Sequence, residues 1–136
     1  MSRENVEIVK RVFNAWNEGT LEDVLPFVAD GLEWLEMEGG QIDNTGAEVR
    51  GKAQVVSMLE SLYETWQLYR LEPEDVRAAG EDRVVAVLRE VARGRASGVD
   101  VTSRWGYLIT FRDGQLARVE AYRNPDQALE AVGLSE

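Results

Sequence analysis

The sequence predicts an α+β domain, a cone-shaped curved antiparallel sheet wrapped around three N-terminal helices, with a short C-terminal helix. Three observations point there. Apolar residues recur at helical spacing near the N-terminus and again after Lys52, period-two alternation dominates from Arg83 to Arg123, and the two patterns do not alternate as βαβ units. A long twisted sheet must bury one face, and three amphipathic helices can cover it while leaving a cone with an open mouth. One domain over residues 1–136 is expected, because the length carries one core and is short for two.

Val6, Val9, Phe13 and Trp16 form the apolar stripe of the first helix, and Asn17-Glu18-Gly19 supplies a left-handed stop. Thr20 and Asp23 make a capping-box-like start for a short second helix, which Pro26 renders irregular. Gly31 to Met37 alternates around the bulky Trp34 and reads as a strand. The Gly- and Asn-rich stretch from Glu38 to Gly51 reads as a loop with a short extended piece, long enough to serve as a functional cover or a mobile segment.

Val55, Leu59, Leu62, Trp66 and Tyr69 trace a third helix, and Pro73 marks the segment after it as an edge or irregular strand. Two long strands follow around an Ala96-Ser97-Gly98 turn. Asp113-Gly114 then turns the chain into a last strand, and Asn124-Pro125 caps a final helix that Gly133 stops.

Composition excludes much of chemistry. A formal charge of −10 argues against nucleic acid, whose phosphates need clustered cations. The run from Arg89 to Arg95 holds three arginines with Glu90 among them and reads as a solvated strand end. No apolar stretch reaches membrane-spanning length and no signal-peptide core opens the chain, so a cytoplasmic protein without membrane partners is expected. With neither cysteine nor histidine, thiol nucleophiles, imidazole metal sites and histidine triads are absent; no metal or cofactor is expected. Any proton transfer would fall to Asp, Glu, Tyr, Lys or water.

Four stretches, VKRVFNAWNEGTLEDVLPFVADGLEW, EVRGKAQVVSML, GRASGVDV and TFRDGQLARVEAYRNPDQALEAVGL, resemble the SnoaL-like branch of the nuclear transport factor 2-like superfamily across nearly the whole chain. The resemblance implies a cone-shaped barrel, a homodimer through the outer sheet face, and an apolar pocket between the helices and the concave sheet. It leaves function open, because the fold hosts isomerases, cyclases, dehydratases, epoxide hydrolases and binders without chemistry. Registered on the ketosteroid isomerases, the helix-1 tyrosine falls at Val12, the base near Leu35 beside Glu36, and the late acid at Tyr107. Registered on the epoxide hydrolases, the last-strand carboxylate falls at Ala121, next to Glu120, and Leu88 to Glu90 roughly takes the place of an Arg-x-Asp pair. The cyclase and dehydratase arrangements need a histidine that this chain lacks.

Alternation places Trp105 and Tyr107 inward with Val101, Ile109 and Phe111, either as core aromatics or, for Tyr107, as a hydrogen-bond donor to a ligand. On the last strand Ala117, Val119, Ala121 and Arg123 share one face, and Leu116, Arg118, Glu120 and Tyr122 share the other. If the small apolar set faces the cone, Glu120 lies outside as an ion-pair partner of Arg104 or Arg118. Glu36 and Glu38 are either solvent-facing acids or, for one of them, a base raised in pKa among Trp16, Trp34 and Trp66. Val85, Val87, Arg89 and Val91 alternate, which makes Arg89 an inward candidate needing a carboxylate or an anionic ligand. The resulting expectation is a pocket lined by Trp16, Trp34, Trp66, Arg89, Trp105, Val119, Ala121 and Arg123 that takes a small hydrophobic molecule. Two alternatives stand beside it: an isomerase, lyase or hydrolase working through Tyr107 and Glu36, and a dimeric scaffold whose cone is filled by side chains.

Overall fold

Chain reversals and caps divide the protein into four helices and seven strands among the residues that its computed structural model describes, namely 2–38, 41–42 and 48–134. Helix α1 (Ser2–Glu18) leads through α2 (Leu21–Val24) and a 3-10 turn (Leu25–Phe27) into β1 (Val28–Glu38). The pieces β2 (Gln41–Ile42) and β3 (Glu48–Arg50) precede α3 (Gly51–Thr65). Then come β4 (Trp66–Ala78), β5 (Arg83–Gly94), β6 (Asp100–Arg112), β7 (Gln115–Tyr122) and α4 (Pro125–Glu130). The expected loop over 38–51 therefore contains two short strands, and the cover proposed for its remainder falls outside the described residues.

The sheet runs β2-β1-β7-β6-β5-β4, with β3 also on β1. All its pairings are antiparallel except β1 with β7, which is parallel, so the sheet is mixed where a wholly antiparallel one is expected. A parallel pair needs a long crossover, and here α3 and the β4–β6 meander provide it.

Local chemistry explains the boundaries. Thr20 Oγ1 donates to the Ala15 carbonyl at 3.1 Å, so this residue closes α1 as well as opening α2. Asp113 and Gly114 both have positive φ, 53° and 76°, the signature of a tight turn whose twist matches its flanking strands. Asn124 accepts from the Asp126 N–H at 3.0 Å with Pro125 at the first helical position.

The third helix ends earlier than its apolar spacing predicts. Trp66 and Tyr69 belong to β4, because Arg95 reaches back from the far end of β5 and takes the last helical carbonyls. Its guanidinium donates to Tyr63 O at 2.8 Å and to Glu64 O and Trp66 O at 3.3 Å. The basic run thus includes a helix cap.

Two apolar layers sandwich the sheet. The inner one joins α1 and α3 to Leu71, Val84, Ala86, Leu88, Tyr107, Ile109, Val119 and Ala121. The outer one packs Ala128 and Leu129 of α4 on Leu35, Met37, Val85, Val87, Leu108 and Tyr122. Tyr122, expected toward water or a partner, is buried beneath α4. Gly106 lies on that outer side, where an added Cβ would stand 2.7 Å from Ala128 Cβ and 2.8 Å from Pro125 Cα, so glycine lets α4 seat. No described helix is long and apolar enough to cross a membrane.

Candidate functional site

Strand register places side chains in rows across the concave inner face. Val84, Ile109, Val119 and Trp34 form one row, and Ala86, Tyr107, Ala121 and Glu36 the next. Leu88 pairs with Trp105 in the row after that, and Leu71, Glu90 and Ser103 form the last. The face changes from wholly apolar beneath α1 to polar at the mouth within two rows.

The apolar end is close to filled. Val12, Phe13 and Trp16 of α1 and Val55 of α3 close over Tyr107, Ile109 and Val119, leaving about 10 Å³ for the centre of a water-sized sphere, room for one water. Leu116 joins this lining in place of Ala117, because a bulge between Thr110 and Phe111 skips Ala117 and reverses the phase of β7 before it. The Trp16 indole N–H is buried with no partner among the described residues.

Tyr107 sits at the junction. Its ring lies 5.9 Å from Phe13, 5.4 Å from Trp34 at 85°, and 6.3 Å from Trp105 at 78°, and Trp16 follows 5.7 Å beyond Trp34. Edge-to-face pairs of this kind place the positive rim of one ring on the negative face of another. Burial, then the charges of Glu90 and Glu36, push the Tyr107 phenol well above its ordinary pKa of 10. It is therefore a neutral phenol, able to donate a hydrogen bond. Ala121 lies between Tyr107 and Glu36 in their row, so the row's two polar side chains are separated by a methyl group.

At the mouth, Glu90 is the anchored carboxylate. Tyr69 Oη donates to its Oε2 at 2.6 Å and Ser103 Oγ to its Oε1 at 2.8 Å. The Tyr69 phenol is also raised, by burial first, then by Tyr107 and by the hydrogen bond to and charge of Glu90. On the opposite wall Arg123 spans two neighbours, its guanidinium carbon 5.2 Å above the Trp105 ring and its Nη2 3.9 Å from Glu36 Oε2. The Glu36 side chain is 29% exposed and answers a cation, unlike the isolated base expected among three indoles.

Two expected site residues are placed differently. Arg89 is exposed on the outer face, because Val84, Ala86 and Leu88 are the inward set of β5. Both faces of this strand are covered, so its apolar run carries no phase of its own. Trp66 is at the start of β4, 6.3 Å from Tyr69, and is absent from the cavity lining. The Glu38 side chain lies outside the described residues. Trp16, Trp34, Trp105, Val119, Ala121 and Arg123 share the inner side with Tyr107 and Glu36.

Glu90, Tyr69 and Ser103 complete the polar rim and were not singled out by sequence. A signal for Glu90 existed: counting outward from the Ala96-Ser97-Gly98 turn pairs it with Ser103, which is two residues from Trp105 and so on the same face. On the outer face Arg118 Nη2 lies 3.3 Å from Glu120 Oε1 and Arg104 Nε 2.8 Å from Glu74 Oε1, so Glu120 is an outer-face ion-pair partner. No set of three potential metal ligands converges among the described residues.

Comparison with known proteins adds the following. A family described as the SnoaL-like domain matches residues 9–119. No curated protein matches the chain. A polyketide-cyclase candidate from Xanthomonas campestris superposes with a TM-score of 0.77 at 22% identity, over 97% of this chain and 98% of its own. A nuclear transport factor 2-like protein of unknown function from Burkholderia pseudomallei gives 0.75 at 17% identity, over 96% and 98%. A protein of ketosteroid isomerase-like fold from Catenulispora acidiphila, in complex with trimethylamine, gives 0.73 at 16% identity, over 95% and 94%.

Proposed function

The chain belongs to the SnoaL-like domain family, and from that premise we propose that it is a small-molecule-binding protein whose ligand sits at the mouth of the cone. The apolar part of the ligand lies against Tyr107, Trp34 and Trp105, and its polar end meets Glu36, Glu90, Ser103 and Arg123. The observation that carries this reading is the row in which Tyr107 and Glu36 flank the small Ala121 on the concave face. Rings with a few fixed polar groups on such a face are the usual composition of a ligand site. The deeper interior holds room for one water, so the mouth and not the apex is where a larger molecule fits. The fold relative from Catenulispora acidiphila, crystallised with trimethylamine, is a precedent for a small organic molecule on this scaffold.

The test is a fluorescence titration with naphthalen-2-ylmethanol, a neutral probe with a flat apolar body. Trp34 and Trp105 stand at the proposed contact, so saturable quenching with a Kd below about 1 mM is expected. A linear, non-saturating response up to the solubility limit would overturn the reading.

A further inference from the structure

Glu90 is a half-buried carboxylate with no counter-ion among the described residues. Its hydrogen-bond partners are two neutral hydroxyls, those of Tyr69 and Ser103. The cations within three residues of Glu90 or of its register partners Leu71 and Ser103 pair elsewhere or face away. Arg93 Nε lies 2.7 Å from Asp100 Oδ1, Arg104 pairs with Glu74, and Arg70 Nε stands 3.8 Å from Glu72 Oε2. Arg95 is committed to the end of α3, and Arg89 points to the other face of the sheet.

Across the mouth, Arg123 and Glu36 cancel one another in charge, which leaves Glu90 as the uncompensated group. Arg123 belongs to the end of β7 and Glu90 to β5, separated by the width of β6, about 10 Å at ordinary strand spacing. The fixed cation therefore does not neutralise this carboxylate.

The surroundings favour a positive ligand beyond simple charge. Tyr69 donates to Glu90, and the Tyr107 phenol is raised by burial first and then by the charge of Glu90, so aromatic rings and a carboxylate are neighbours here. Ring faces attract ammonium groups, and Arg123 over Trp105 is an instance of that attraction within this mouth. An anionic ligand would meet Glu90 unscreened by any partner.

Resting on the mouth as the binding site, we infer that its ligand is a cation: an amine or quaternary ammonium on an apolar body, with the charged nitrogen beside Glu90. The body lies on the Tyr107 side of the mouth, toward Ala121. Tyr69 and Ser103 act as positioning residues, holding both carboxylate oxygens so that the charge faces a fixed place.

Three naphthalene probes of one shape separate the possibilities: naphthalen-2-ylmethylammonium, naphthalen-2-ylmethanol and naphthalen-2-ylacetate, titrated at 0.15 M salt, where long-range effects of net charge are screened within about 8 Å. The cation is expected to bind at least tenfold more tightly than the alcohol, and the anion no more tightly than the alcohol. Glu90→Gln keeps acceptors for Tyr69 and Ser103, and it is expected to bring the cation within twofold of the alcohol while leaving alcohol binding unchanged. Glu4→Gln, which removes an exposed acid of α1, is expected to leave the tenfold preference intact. If the alcohol binds and the cation is not preferred, or the preference survives Glu90→Gln, this inference fails and the binding site stands. Tighter binding of the anion would overturn it in favour of recognition by Arg123. Absence of binding by all three would overturn both.

Discussion

Asn17 and Leu71 hold each other by two hydrogen bonds of 2.8 Å: Asn17 Nδ2 donates to the Leu71 carbonyl, and the Leu71 N–H donates to Asn17 Oδ1. Strand β4 is a sheet edge, and the amide of Asn17 there takes the place of a neighbouring strand. The bond pair fixes the end of α1 over the strand that carries Tyr69. Asn17→Ala leaves both backbone groups half-buried without partners and is expected to destabilise by about 1–3 kcal/mol. Asn17→Asp keeps the acceptor but sets a carboxylate oxygen against the carbonyl, and should be the more damaging change. Urea unfolding of the three proteins, compared at constant m-value, checks the order.

Gly106 is expected to tolerate no side chain. Gly106→Ala forces a methyl group into Ala128 and the Pro125 backbone and should cost about 1–3 kcal/mol as α4 lifts. Hydrogen exchange provides the specific readout: amides of α4 should lose protection before those of β5 and β6 do.

Ala121→Leu puts a bulkier side chain in the row between Tyr107 and Glu36, where the ligand's apolar body is proposed to lie. Binding of naphthalen-2-ylmethanol should weaken at least tenfold, while far-UV circular dichroism remains that of the parent protein. Undiminished binding would place the ligand elsewhere than this row.

Alkaline pH should unfold the protein cooperatively. All four tyrosines, Tyr63, Tyr69, Tyr107 and Tyr122, have phenols raised above 10 by burial as the leading cause. The folded state therefore holds protons that the unfolded state releases, so stability is level below pH 10 and falls as pH rises beyond it. Absorbance at 295 nm should rise together with loss of far-UV circular dichroism, not as an independent titration near 10. Tyr107→Phe removes one such group and should move the midpoint to higher pH.

Much of the chain is legible without tertiary information because its signals are local. The stripe of Val9, Phe13 and Trp16, the Asp113-Gly114 turn and the Asn124-Pro125 cap depend on neighbours a few residues away. The alternation of Trp105, Tyr107 and Ile109 correctly groups them on one face, since Thr102, Arg104 and Thr110 mark the other as the more polar one. Trp66 and Tyr69 mislead for the opposite reason. Their spacing fits a helix, but Arg95, 29 residues after Trp66, caps α3 before them.

The sequence by itself determines an α+β cone, its turns and caps, and the inward set on β6, because backbone conformation and side-chain period are properties of short segments. Only the tertiary structure decides that Glu90 and not Arg89 faces the mouth, that Ala117 is a bulge, and that Tyr69 holds Glu90. Within one strand alternation gives relative phase. The absolute face is set by what covers each side, and α4 buries the outer side of Val85 and Val87 as fully as α1 buries the inner side of Val84 and Ala86. A strand buried on both faces has no phase to read until its partners are in place.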